Sequence, residues 1–213
     1  MSTKTTQNAA TAEPGGGRPG ARPLVLASSS VYRRELLQRL HLPFTPVRPD
    51  VDETPLPGER PRETALRLAE AKARSVMARH GDAFIIGSDQ VADADGEPIG
   101  KPETAERARA MLLRLSGRTV VFHTGLVLLD AHRSECQTAV VDVRSTFRTV
   151  SASEIDRYLE REAALDCAGG VKIEALGIAL FSAVESDDPT ALIGLPLIRL
   201  IDMLHAVGIR PLG

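Results

Sequence analysis

The sequence predicts an α/β protein built on a mixed β-sheet flanked by helices. Three observations predict it. Apolar runs of strand length alternate with stretches whose apolar residues recur at helical spacing. One run, Ala83-Phe84-Ile85-Ile86-Gly87, is continuously apolar, which suits a strand at a sheet centre. Two long strand patterns, Thr119 to Leu129 and Cys136 to Val150, are joined by a turn around Ala131 to Ser134, which should pair them antiparallel.

The elements follow in order. Leu24 to Ala27 reads as a strand, and a helical pattern starts near Val31 with Leu36, Leu37 and Leu40 on one face. Phe44 to Val47 reads as a second strand, followed by the acidic loop Pro49-Asp50-Val51-Asp52-Glu53-Thr54-Pro55. Pro61 to Arg79 predicts a long helix, with Pro61 in its first turn and Ala65, Leu68, Ala69 and Val76 as a buried stripe. The Ala83 to Gly87 strand should deliver Ser88-Asp89-Gln90 at its end, and Asp95-Gly96 signals a hairpin. Thr104 to Leu115 is amphipathic and stops at Gly117. Ser151 and Glu154 form a capping box for a helix to about Glu160. After the flexible Ala168-Gly169-Gly170 come Lys172 to Glu174, a short strand Ile178 to Phe181, and a closing helix Leu195 to Ala206 with Gly208 near its C-cap.

Composition narrows the function. The chain has 213 residues, 43% hydrophobic and 25% charged, which is enough for one sizeable domain or two tightly joined lobes. The formal net charge of −2 argues against a general nucleic-acid or membrane-surface binder. No apolar run approaches the roughly 20 residues that span a bilayer. Residues 1–22 have little to bury and read as a disordered tail, not a signal peptide, leaving 23–213 as the folded domain. Cys136 and Cys167 lack a metal-binding spacing and read as reduced thiols of a cytoplasmic protein.

Four loops carry chemistry. In Ser28-Ser29-Ser30-Val31-Tyr32-Arg33-Arg34, three hydroxyls and a cation surround a helix N-terminus whose open amides and dipole favour an anion. By themselves these residues would more often make only an ordinary N-cap. The second loop holds Asp52-Glu53, the third Asp89-Gln90 followed by Gly100-Lys101-Pro102, and the fourth Lys172 to Glu174. The chain uses 22 arginines but four lysines, and beyond Lys4 these are Lys72, Lys101 and Lys172. A lysine supplies a compact point charge that a forked guanidinium does not duplicate. Cations, carboxylates and one aromatic ring together suit a metal-bound polyphosphate, with one carboxylate free to take a proton from water. Asp89 is the strongest candidate because α/β folds bind ligands at strand ends, although a turn aspartate would look the same.

Seven segments bear a resemblance in order and spacing: Leu26 to Arg34, Val51 to Thr54, Ala69 to Ala73, Gly87 to Val91, Gly100 to Pro102, Cys167 to Gly169 and Gly194 to Pro196. The chain resembles the Maf-type nucleoside triphosphate pyrophosphatases over roughly residues 23–210. The resemblance implies an elongated mixed sheet, two lobes around a deep nucleotide cleft as in the inosine triphosphatases, and hydrolysis of nucleoside triphosphates to a monophosphate and pyrophosphate. It implies a divalent cation, Mg or Mn. By position, Ser28, Ser30, Arg33 and Arg34 would hold phosphate, Glu53 and Asp89 metal, and Lys72 and Lys101 the triphosphate charge. Asp89 would activate the attacking water.

The family divides by base preference. Gln90, Glu174 and Tyr32 resemble the branch acting on 7-methyl-GTP, with Lys172 beside them. Guanine presents two adjacent donors, N1–H and the N2 amino group, which an acceptor-only Glu174 could accept together. N7 methylation makes the base cationic, and a cation stacked on Tyr32 gains roughly 0.5–2 kcal/mol. Gly170-Val171 and Ala175-Leu176 depart from the family by removing wall groups beside Glu174. The expected partner is a nucleotide substrate, with no nucleic acid and no membrane, and with a homodimer left open. The alternatives are a dTTP, UTP or CTP pyrophosphatase and a non-catalytic nucleotide-binding regulator of septum formation.

Overall fold

The structure, a computed structural model, describes residues 22–162 and 164–213. The expected tail, residues 1–22, lies outside them except for Arg22, which already belongs to the folded body. Its guanidinium grips both carboxylate oxygens of Asp130 at 2.8 and 2.5 Å and lies 4.1 Å over the Phe84 ring.

Among the described residues, seven strands and five α-helices follow. They are β1 (Leu24–Ala27), α1 (Val31–Gln38), β2 (Thr45–Val47), α2 (Pro61–Met77), β3 (Phe84–Ala94), β4 (Glu97–Ile99), α3 (Ala105–Leu115), β5 (Thr119–Asp130), β6 (Glu135–Phe147), α4 (Ala152–Arg161), β7 (Phe181–Glu185) and α5 (Leu197–Ala206). They make one mixed sheet in the order β2-β1-β3-β5-β6-β7, with β4 on β3. β1 runs parallel to β2 and β3, and the other pairs are antiparallel.

Local chemistry explains most boundaries. The Ser30 hydroxyl caps α1 by accepting from the Arg33 amide. Glu63 reaches back to the Arg60 amide at the start of α2, where Pro61 has no N–H to lose. Ser151 and Glu154 cap α4 reciprocally. Asp95 and Gly96 both adopt positive φ, as a two-residue hairpin with right-handed strand twist requires.

Two expectations are corrected. Ile178 to Leu180 is not strand but part of a 3₁₀ turn, Leu176–Leu180, and β7 starts only at Phe181. The turn folds tightly over the preceding loop: a Cβ at Gly177 would overlap the backbone of Lys172. The second correction matters more. The strand beginning at Phe84 does not stop before Ser88 but runs on to Ala94. Its neighbour β1 is what stops, at Ala27 opposite Gly87. From Ser88 to Val91, β3 is paired with β5 on one side, and β4 joins the other side only at Ala92. A gap in the sheet edge follows.

Separate cores flank that gap. On one side α2 packs Ala69, Ala73 and Val76 against Val25, Ala27 and Ile85, while α1 and α5 cover the opposite sheet face with Leu36, Leu37, Leu200 and Leu204. Beyond the gap, Phe122, Phe147, Leu112, Ile155 and Phe181 form another core under α3 and α4. The long strands β3, β5 and β6 run through both regions.

Candidate active site

The gap opens into a cavity of about 1070 Å³. Ser28, Ser30, Tyr32, Arg33, Glu53, Lys72, Asp89, Gln90, Lys101 and Glu174 all line it. Two predicted site residues do not. Arg34 is exposed on α1. Lys172 lies behind Tyr32, its Nζ 5.4 Å from the ring centroid and 3.9 Å from Asp166.

Asp89 occupies the middle of β3, so the expected strand-end position is corrected. It reaches solvent because β1 has ended beside it. Gly87, Asp89 and Val91 alternate onto the face covered by α2. Gly87 lets that helix approach closely, since a Cβ there would overlap the Ala69 carbonyl oxygen. One turn along α2, the Lys72 ammonium meets Asp89 Oδ1 at 2.5 Å and Glu53 Oε1 at 2.8 Å. Lys72 and Asp89 are 5% and 7% exposed, so their attraction is little screened, while more than half of the Glu53 side chain faces solvent. Burial raises the Glu53 carboxyl, but the Lys72 hydrogen bond and the charges of Lys72, Lys101 and Arg33 outweigh it, and its pKa falls below the usual value.

The serine turn fills the break after β1. Ser28 Oγ accepts from the Ser30 amide at 3.1 Å, and Ser30 Oγ from the Arg33 amide at 3.3 Å. Both hydroxyls thus keep their protons available to donate to an anion. Arg33 Nε donates to the Gly194 carbonyl at 2.8 Å, which spends that side of the fork on protein. Burial pushes the Arg33 guanidinium down despite the opposing charges of Asp89 and Glu53.

Gln90 alternates to the other face of β3. Its amide nitrogen donates to Thr124 Oγ1 and to the Ala191 and Leu192 carbonyls, at 3.1, 2.8 and 3.1 Å. Here the cavity wall is apolar: Phe122, Val171, Ile173, Phe181 and Leu192. Glu174 is exposed at this end and makes no ion pair with Lys172, which turns to Asp166 instead. The Tyr32 hydroxyl donates to Asp166 at 3.4 Å. Burial raises the Tyr32 phenol despite Lys172, and the hydrogen bond with Tyr32 raises Lys172. Val171 is buried, and Gly170 faces Pro102.

Sequence reasoning gave no role to Gly194, Asp166 or Phe122, all of which line the cavity. Gly194 stood in a recognised motif, and Phe122 was one of five phenylalanines, but neither residue type carries a charge to advertise it. Arg48, Asp50 and Arg79 extend the lining beyond Lys72.

The donors suit a hard divalent ion. Among the described residues, Asp89 Oδ2 and Glu53 Oε2 have no hydrogen-bond partner, and two carboxylates completed by phosphate oxygens and water are how Mg²⁺ is usually held. No helix among the described residues is long and apolar enough to cross a membrane.

The profile of the family described as Maf-like protein matches residues 23–207. Among similar proteins, one of Polaromonas sp. (strain JS666) is 56% identical over 191 residues, covering 90% of this chain and 87% of its own length. One of Bordetella pertussis is 57% identical over 189 residues, 89% of this chain and 94% of its own. One of Burkholderia thailandensis is 58% identical over 189 residues, 87% of each. All three bear the name 7-methyl-GTP pyrophosphatase.

Proposed function

The chain belongs to the Maf-like protein family, and on that premise we propose that it hydrolyses 7-methyl-GTP to 7-methyl-GMP and pyrophosphate. The observation that carries the chemistry is the Lys72 ammonium held between Glu53 and Asp89 on the wall of a nucleotide-sized cleft.

Water attacks the α-phosphorus in line; the new P–O bond forms as the bond to the β-phosphate bridging oxygen breaks. Asp89 takes a proton from that water. Lys72, Lys101 and Arg33 offset the charge that builds on the departing pyrophosphate. Ser28 and Ser30 donate to phosphate oxygens at the α1 N-terminus. Glu53 and Asp89 would hold a divalent cation, Mg or Mn, which supplies Lewis-acid charge at the phosphates. Substrate lies across the sheet gap, its phosphates on the α2 face and its base among Phe122, Ile173 and Leu192. Glu174 accepts the guanine N1–H and N2–H, and Tyr32 stacks against the methylated, cationic base. The two unpaired thiols support a cytoplasmic setting.

The test is a nucleotide panel read by pyrophosphate release, run on the wild type and Asp89→Asn. 7-methyl-GTP should lead the panel, and Asp89→Asn should lower kcat by about 10²- to 10⁴-fold, the usual share of a general base. Full turnover in that variant removes Asp89 from the reaction. Preference for UTP or dTTP removes the base assignment, and nucleotide binding without turnover by the wild type would make the protein a regulator.

A further inference from the structure

Asp188 stands outside every loop given a role above, yet it is 2% exposed and its carboxylate accepts four hydrogen bonds. Its Oδ1 takes the Thr190 amide at 3.1 Å and the Thr190 hydroxyl at 2.7 Å. Its Oδ2 takes the Ile198 and Arg199 amides at 2.8 and 3.2 Å, both in the first turn of α5. One carboxylate therefore closes a turn and caps a helix that lie on either side of Ala191–Gly194. Thr190 ties the two ends further, since its Oγ1 is 2.8 Å from the Leu195 carbonyl and accepts from the Leu197 amide at 2.8 Å.

The stretch held this way is a wall of the nucleotide cavity. Gly194 sits at φ +119; its carbonyl receives Arg33 Nε at 2.8 Å and lies 2.9 Å from Ser88 Oγ, whose one proton it shares with the Gly125 carbonyl at 2.8 Å. A carbonyl on Nε fixes the plane of the guanidinium, and with it the direction in which the two terminal nitrogens can meet an anion. Misplacement of such a group by about 1 Å is enough to lose much of its effect.

We propose that Asp188 is a positioning residue for polyphosphate binding: it fixes the Gly194 carbonyl, and that carbonyl aims Arg33. Only an acceptor-only group serves four donors at once. In Asp188→Asn the amide NH₂ must face either Thr190 or the two α5 amides, donor against donor. The inference rests on the proposed reading only in taking the cavity's anion to be a polyphosphate.

The test is a double-mutant cycle on the full chain, with inorganic pyrophosphate as the probe and calorimetry as the readout. Asp188→Asn should weaken pyrophosphate binding about tenfold, the scale of a hydrogen bond to a charged group, and should do so in folded protein. With Arg33 already changed to Ala, the same substitution should cost less than about twofold, while its effect on melting temperature persists. Thr190→Val, which keeps the carboxylate, should show the same coupling and stands in if Asp188→Asn does not fold. Losses that multiply independently of Arg33 reduce Asp188 to a helix cap and overturn the proposal, as does a wild type that binds no pyrophosphate. Wild type that shows the coupling but hydrolyses no 7-methyl-GTP supports the positioning role and defeats the proposed function instead.

Discussion

The two ends of the cavity are built by opposite means. On the α2 face, where we propose that the phosphates bind, full charges are brought close: an ammonium between two carboxylates, with Arg33 and Lys101 nearby. The helix and sheet can approach that closely because Gly87 and Gly125 have no side chains and Ala69 and Ala65 lie opposite. On the other face the wall is aromatic and aliphatic, charges stay at the rim in Glu174 and Asp166, and the polar side chain inside, Gln90, is tied to the wall backbone. A single strand makes both, because successive residues of β3 point to opposite faces. On the proposed function, the difference makes chemistry and base choice separable: changes on the α2 face should affect every triphosphate alike, and changes at the other end should redistribute preference among bases.

The strongest way to break that division is at Lys72. Lys72→Met leaves Asp89 and Glu53 facing each other without the ammonium between them. We expect kcat/KM to fall about a thousandfold, by similar factors on 7-methyl-GTP and UTP. Stability should drop by about 3 kcal/mol, at the low end for a buried pair because Glu53 is largely solvated. Steady-state kinetics on both substrates with urea unfolding checks both. A loss confined to one base would mean the two ends are not independent.

Gly87→Ala tests the same end through the backbone. The added methyl has nowhere to go but the Ala69 carbonyl, so α2 must retreat from β3. Overpacking of this kind costs about 1–3 kcal/mol. Because α2 carries Lys72, turnover should fall together with stability, again without change in base preference.

The fold class, most element positions and the charged residues that meet at one end of the cavity were legible in the sequence. Strand and helix periods name the elements, and charged residues in a chain short of lysine stand out. What stayed hidden depended on register. Nothing in Ser88-Asp89-Gln90 says that β3 continues while β1 stops, although this places Asp89 in mid-strand and opens the cavity. The apolar wall was hidden for another reason: Phe122, Leu192 and Phe181 look like any core residues until the gap exposes them to the cavity. Arg34 and Arg33 are neighbours in a motif, and only helical phase decides that Arg33 turns inward. Lys172 was grouped with Glu174, yet the chain turns it to Tyr32 and Asp166.

Glu174 probes the base end. Glu174→Gln keeps size but replaces one acceptor oxygen with a donor, which opposes the guanine N1–H and N2–H pair and suits uracil better. Use of 7-methyl-GTP should fall about tenfold while UTP changes by less, since a site loses most when a donor faces a donor. Equal losses on both substrates would show that Glu174 does not read the base.

Cys167 gives the smallest effect and the sharpest check on the chemistry. It lines the cavity near Tyr32, where a covalent nucleophile could sit. Burial, reinforced by Asp166, pushes its thiol up to about 11. The reactive thiolate is therefore scarce near neutrality. Alkylation of Cys167 by iodoacetamide should be slow at pH 7.5 and accelerate only as the pH approaches 11, and Cys167→Ser should keep kcat within about twofold, because water and not sulfur attacks phosphorus. The linkage has a definite sign. A thiol whose folded value lies above the ordinary 9.0 favours the native state at lower pH, and that contribution is lost as the pH rises from 9.0 toward about 11. The wild type should thus lose stability across that window and Cys167→Ser should lose less of it, measured by urea unfolding at each pH. An equal loss in both would assign the alkaline limb to other groups, and rapid inactivation at pH 7.5 would return the thiol to the reaction.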